Sequence, residues 1–180
     1  MNKRIVRIIT CILVLVCSMF VTTGCDTGMV TRGLEYKLIG GNYESYYTLV
    51  GIGDVTSTYI VVPKMRHGRH VTKIGAEALA NTSIRSVELP DSILSIGSRA
   101  FLDCTKLETI NVPLHCKYIG AQAFAGCTSL RQITFSDTHG WREVSDGSSE
   151  GTAVDMSDAS DNAIYLRDLP EGKHLVKSDN

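Results

Sequence analysis

Aromatic side chains are scarce in this chain. Phe, Trp and Tyr make up 7% of 180 residues, and Trp141 is the sole tryptophan. With sixteen glycines beside so few aromatics, the composition suits a fold with many tight turns. Strong charge of one sign is also missing: the formal net charge is −1, which does not describe a nucleic-acid binder. No CxxC pair occurs anywhere, so a thiolate metal site has no local signature. Gly51 and Gly53 form no phosphate-binding fingerprint. Beyond residue 21 there is no long apolar run.

One such run opens the chain. Lys3, Arg4 and Arg7 precede an apolar stretch over residues 8–21, and "TTGC" then ends at Cys25. A basic start, a short apolar run and a small-residue cleavage site describe an export signal. With Cys directly after Thr23-Gly24, the segment resembles a bacterial lipoprotein signal, which implies cleavage and lipid attachment at Cys25. Two alternatives stand beside that reading: an uncleaved membrane anchor, and ordinary secretion with a free Cys25. In some Gram-negative bacteria an Asp after the Cys, here Asp26, favours the inner membrane. Without residues 1–24 the chain keeps fifteen Lys and Arg against nineteen Asp and Glu, a net −4. That charge is uneven, +4 over residues 64–135 and −6 over residues 136–180, as two modules with different surfaces would give. Cys25, Cys104, Cys116 and Cys127 remain; with Cys25 lipidated the count is odd, which argues against a disulfide scaffold.

What the chain does have is repetition. "IGAEALANTSIRSVELP" starts at Ile74, "IGSRAFLDCTKLETINVP" at Ile96 and "IGAQAFAGCTSLRQITFS" at Ile119. A fixed period near 23 residues is the mark of a solenoid. Each block offers an aliphatic and a turn-permitting Gly, then Ala with Leu or Phe on a short helical turn, then an alternating strand. Val87, Ile110 and Ile133 point inward by that alternation, with Leu89, Val112 and Phe135. Ser86, Thr109 and Gln132 point outward, beside Glu88, Asn111 and Thr134. Pro90 and Pro113 close two strands, since Pro cannot donate to a ladder. Cys116 falls in the register of Ile93 and Val71, a small apolar filler. "YIVVP" ending at Pro63 reads as the tail of a degenerate earlier block, and a five-residue insertion within "KMRHGRHVTK" follows it.

The pattern IGxxAFxxCxxLxxIxxP resembles the BspA-type (Treponema pallidum-type) leucine-rich repeats of bacterial surface proteins. Ile96, Gly97, Ala100, Phe101, Cys104, Leu107, Ile110 and Pro113 carry it in one block, and Ile119, Gly120, Ala123, Phe124, Cys127, Leu130 and Ile133 in the next. In the first block Leu79 replaces Phe and no Cys is present. The implied fold is α+β: a short leucine-rich-repeat solenoid of about three 23-residue rungs, each a strand plus a short helical turn. A β-rich N-terminal cap and a small C-terminal strand/helix module complete it. The implied division is signal 1–24, tether 25–33, cap or degenerate repeat 34–63, solenoid 64–135 and capping module 136–180. Within the cap, "LEYKLI" and "YYTLVGI" are strand candidates around a turn. In the last module Ser157 or Asp158 caps a helix reaching about Leu166, and "HLVK" is a final strand.

Two groups are candidates for partner contact. The outward row Ser86, Glu88, Thr109, Asn111, Gln132 and Thr134 tiles a small polar sheet face. Arg66, His67, Arg69 and His70, with Lys64 nearby, are the densest basic stretch after the signal and suit an anionic partner or lie in a solvated loop. Cys104 and Cys127 share a repeat position and form a buried ladder, not a metal site. "SDTHG" over 136–140 holds neighbours in one loop, not a triad, and "DGSSEG" from Asp146 lacks the acid spacing of a calcium loop. The expectation is a non-catalytic, extracytoplasmic lipoprotein without cofactor or metal, held at the membrane by lipid on Cys25. It binds a protein or glycan in an adhesion-like role. The alternative is a docking subunit of an envelope complex. Fold alone does not choose between them.

Overall fold

The computed structural model describes residues 30–41 and 44–178, so the signal and Cys25 lie outside the described residues. Two sheets enclose one apolar core. The first has four parallel strands, one per rung: β3 (Tyr59–Val61), β6 (Ser86–Glu88), β8 (Thr109–Val112) and β10 (Gln132–Phe135). The upstream fragment "YIVVP" thus supplies a full fourth strand, in register with Ser86–Glu88.

The second sheet has nine strands, and short-range alternation does not announce it. Its middle is β5 (Arg69–Ile74), β7 (Ser95–Ile96) and β9 (Tyr118–Ile119), where each rung turns its "IG" corner. The hairpin β1 (Glu35–Ile39) and β2 (Tyr46–Gly51) extends one end, and β13 (Lys173–Lys177), β11 (Trp141–Ser145) and β12 (Gly151–Ala153) extend the other. Leu49, Ile74, Ile96, Ile119 and Leu175 are partners in sequence across this sheet and are all buried. The adjacent outward row runs Lys37, Thr48, Lys73, Ser95, Tyr118, Val176 and Arg142.

The segments between the sheets wind as i−3 turns, for example Ala78 N to Gly75 O and Ala100 N to Gly97 O. They do not propagate as helix because equivalent residues Glu77, Arg99 and Gln122, and Asn81, Asp103 and Gly126, have positive φ. The alternation turns every second amide toward the next rung. Leu79 N reaches Ala100 O at 2.9 Å, and Phe101 N reaches Ala123 O at 2.8 Å. Phe101 and Phe124 stack inside these turns with centroids 5.2 Å apart and planes 3° from parallel. The repeat Gly has a different role from the expected one: Gly97 is not in a left-handed conformation, but a Cβ there would lie 2.6 Å from Ala76 N. It is Gly because neighbouring rungs meet backbone to backbone.

The ends are closed differently. Thr31 binds the open edge of β3 through its N to Val61 O at 3.0 Å and Val61 N to its Oγ1 at 2.8 Å. At the far end, α1 (Ala159–Arg167) packs on β10, its N-cap Asp158 accepting from Ser160 N and Asp161 N. Asn162, the one buried polar side chain among the described residues, donates from Nδ2 to Ile133 O and Met156 O, each at 3.0 Å.

Candidate polar face and basic hairpin

The outward row on the four-strand sheet stands together as expected. Tyr59, Ser86, Thr109 and Gln132 are cross-strand neighbours, and Asn111 pairs with Thr134 one step along. The reason is period-two alternation over a buried partner row: Ile60, Val87, Ile110 and Ile133 fill the core between them. The row lines an open depression of about 260 Å³. Tyr59, which the block alignment left out, is 48% exposed and donates from its hydroxyl to Glu88 Oε2 at 2.7 Å. That hydrogen bond, ahead of burial, pushes the Tyr59 hydroxyl above its ordinary range. Extending the repeat back across the insertion to "YIVVP" is the signal that finds it.

Beside the row, Glu108 joins two rungs, with Oε1 on Arg85 Nη1 at 2.9 Å and Oε2 on Arg131 Nη2 at 2.7 Å. All three are exposed enough for water to screen them, so this bridge fixes charge placement more than stability.

Arg66, His67, Arg69 and His70 do not form one surface. The insertion is a tight hairpin, β4 (Met65–Arg66) on β5, with His67 at φ 47 and Gly68 at φ 76 at its tip. Two successive positive φ values make the turn that hairpin twist favours. Arg66 lies over the Tyr36 ring, 4.8 Å from its centroid, and His67 Nδ1 is 3.3 Å from Tyr47 Oη. Arg69 donates from Nε to Ser45 Oγ. Those three brace the N-terminal hairpin. His70 is exposed and lines a separate depression of about 280 Å³ with Lys64, Asp91, Leu94 and His115.

Cys104, Cys116 and Cys127 are free thiols with no exposed surface. Cys104 Sγ lies 2.9 Å from Leu79 O and Cys127 Sγ 3.0 Å from Phe101 O, so the two occupy equivalent places in successive rungs. Burial pushes the Cys116 thiol up to about 11. In "SDTHG", Asp137 takes a hydrogen bond from Lys177 Nζ, the first cause holding its carboxyl down at about 2. Its carbonyl accepts from Trp141 Nε1 at 3.0 Å, and His139 N donates to its Oδ1. Asp137 is therefore a staple between two ends of the last module. Asp146 of "DGSSEG" faces His174 Nδ1 at 3.2 Å. Among the described residues no three His, Cys, Asp or Glu side chains are placed to hold a metal ion.

No curated protein matches the chain. Among solved structures it is similar to a leucine rich cell surface protein from Faecalibacterium prausnitzii, at 28% identity and a TM-score of 0.48, over 62% of this chain and 32% of that one. A leucine-rich repeat protein from Bacteroides ovatus is similar at 22% identity and a TM-score of 0.47, over 58% and 28%. The T. pallidum leucine rich repeat protein follows at 20% identity and a TM-score of 0.41, over 61% and 65%. The chain spans less than a third of the first two. The BspA type leucine rich repeat region matches residues 57–152, more than half of the sequence, in six copies. With that match lying over rungs that stack as the motif requires, the chain belongs to the BspA-type leucine-rich-repeat family.

Proposed function

We propose that this chain is a non-catalytic binding module, held outside the cytoplasm by lipid on Cys25, that engages a protein or glycan through the polar face of its four-strand sheet. One observation carries the reading: Glu88, Thr109, Gln132 and Thr134 are exposed, in register, on a sheet whose other side is filled by core residues. Packing does not need those outward side chains, so their polar groups are available to a partner, with Glu88 Oε2 already accepting from the Tyr59 hydroxyl. Amides, hydroxyls and one carboxylate beside an exposed tyrosine suit a polar ligand bound by several modest contacts. The similar protein from Faecalibacterium prausnitzii is described as a cell surface protein, which supports the location. No helix among the described residues is long and apolar enough to cross a membrane.

The test has two arms. The chain from residue 26, immobilised, is offered matrix proteins and glycan arrays, then compared with the triple variant Glu88→Ala, Asn111→Ala, Thr134→Ala. Loss of roughly tenfold or more in affinity, with unchanged urea midpoint, supports the reading. Binding that ignores the triple variant overturns it, and co-purification with one fixed envelope partner moves the role to docking. Release of the full chain from membranes on Cys25→Ser checks the anchor separately.

A further inference from the structure

The polar face offers a partner hydrogen bonds and little else. Among the described residues the side chains of Ser86, Thr109, Asn111, Gln132 and Thr134 make no hydrogen bond, and Glu88 engages one carboxylate oxygen with Tyr59. The depression they line holds one carboxylate and no cation. Its apolar lining is the exposed Tyr59 ring and a floor of Val87 and Ile110, both buried. A protein interface is built around desolvated aromatic or aliphatic anchors, and one tyrosine at the side of four strands supplies no such centre. An anionic partner meets the Glu88 carboxylate with no cation to offset it. An uncharged ligand rich in hydroxyls meets neither obstacle. Sugar hydroxyls donate and accept, as do the Asn111 and Gln132 amides and the threonine hydroxyls, while Glu88 accepts. The C–H face of a sugar ring packs on a tyrosine ring, whose own hydroxyl stays polar.

We propose that the polar face binds a neutral hexose polymer laid across the strands, with Tyr59 stacked on one ring and Glu88, Asn111 and Gln132 holding hydroxyls of its neighbours. This rests on the polar face being the contact surface, and it narrows the partner to an uncharged glycan. The repeat supports it. Tyr59, Ser86, Thr109 and Gln132 form one row across the strands, and Asn111 and Thr134 stand beside it, two residues further along. Strands about 4.8 Å apart present these groups at a step close to the length of one pyranose in an extended chain. The Tyr59 hydroxyl, bonded to Glu88 Oε2 at 2.7 Å, fixes the ring beside the next strand. The open depression of about 260 Å³ lies just under the size of a drug-sized pocket and admits about one or two sugar rings.

The experiment uses the chain from residue 26, which contains the whole core from Leu34 to Leu175. NMR titration offers it linear gluco-, manno- and galacto-hexaoses, with a galacturonate hexamer and a heparin hexasaccharide as charged counterparts. Saturable binding to at least one neutral hexaose is expected, about tenfold or more tighter than to either charged counterpart. Along a length series the affinity is expected to rise to about four sugars, one per strand, and then to level off. Tyr59→Ala is expected to weaken binding about tenfold, and Tyr59→Phe, which keeps the ring, at most about threefold. Asn111→Ala and Gln132→Ala are each expected to weaken it about fivefold, one hydrogen bond apiece. Unchanged urea midpoints confirm that these exposed substitutions leave the fold intact. Absence of binding to every neutral hexaose overturns the proposal, as does tighter binding to a charged counterpart or binding indifferent to Tyr59→Ala. A matrix protein that binds, and is lost in the Glu88→Ala, Asn111→Ala, Thr134→Ala variant while no hexaose binds, overturns the glycan and keeps the face. Loss of both, or binding that ignores every one of these substitutions, removes the polar face itself as the contact surface.

Discussion

Asn162→Asp tests how the solenoid is closed. The Nδ2 of Asn162 donates to the carbonyls of Ile133, on the last parallel strand, and Met156, and the residue is 2% exposed. Replacing the amide by a carboxyl keeps the shape and removes both donors. Two hydrogen bonds are lost, each worth about 1 kcal/mol net, and a carboxylate is placed against two carbonyl oxygens. A buried charge stripped of its partner costs on the order of 3–5 kcal/mol, so the expected loss near neutral pH is about 4 kcal/mol. Asn162→Ala, which leaves two orphan carbonyls but no charge, is expected to cost about 2–3 kcal/mol. The pH dependence gives a second readout. The introduced carboxyl is desolvated and faces acceptors, so its folded-state pKa is raised above its unfolded value near 3.9. Relative stability is then greatest below that unfolded value and is lost as pH rises through the folded one, because the protonated form donates to one carbonyl. Urea unfolding of the chain from residue 26 at about pH 4 and pH 7 measures both effects. A variant within about 0.5 kcal/mol of the parent at pH 7 refutes the claim that this amide closes the sheet.

Phe101→Ala and Phe124→Ala, at the stacked pair, are each expected to cost about 3–5 kcal/mol, with a coupling of about 1 kcal/mol in the double-mutant cycle by urea unfolding. Gly120→Ala puts a methyl into the Ser98 backbone and is expected to destabilise by about 2 kcal/mol or more, which thermal melting reads directly. The Tyr36 hydroxyl is buried without a partner and its pKa is raised to about 12, by burial first, so stability is full below about pH 10 and falls as pH rises toward 12. Tyr36→Phe is expected to be neutral or slightly stabilising at pH 7, by at most about 1 kcal/mol, and to flatten the alkaline limb in urea titrations. Cys104, Cys116 and Cys127 are expected to resist a thiol reagent in the folded chain and react together on unfolding.

Sequence carried the solenoid well because its information is periodic. A strand such as Gln132–Phe135 repeats the alternation of Thr109–Val112, so each block checks the next. The helix cap was legible to Ser157 or Asp158, of which the structure uses Asp158, for a local reason, an acceptor before a run of helix formers. In the nine-strand sheet the end strands "LEYKLI", "YYTLVGI" and "HLVK" were legible, but their joining into one sheet with the rung corners was not. Ser95–Ile96 and Tyr118–Ile119 are too short for any period, and Leu175 reaches Ile119 only after the chain has folded back. The basic stretch misled for a similar reason. Four neighbours in sequence looked like one patch, but the hairpin turn at His67-Gly68 puts Arg66 and Arg69 against the tyrosine hairpin and leaves His70 beside Asp91. Asn162 had no signal: a lone Asn in a helix is recognisable as a closure only once the carbonyls it meets are known.

Both sheets line one core, with Val87, Ile110 and Ile133 entering from the four-strand sheet and Ile74, Ile96 and Ile119 from the nine-strand sheet. The outward row of the four-strand sheet therefore looks away from that core. A solenoid of four parallel strands offers a partner only a narrow patch, about 15 Å across the strands. Patches of that size bind weakly alone, and many copies held in one plane by the proposed lipid on Cys25 raise the effective concentration at which a multivalent ligand meets them.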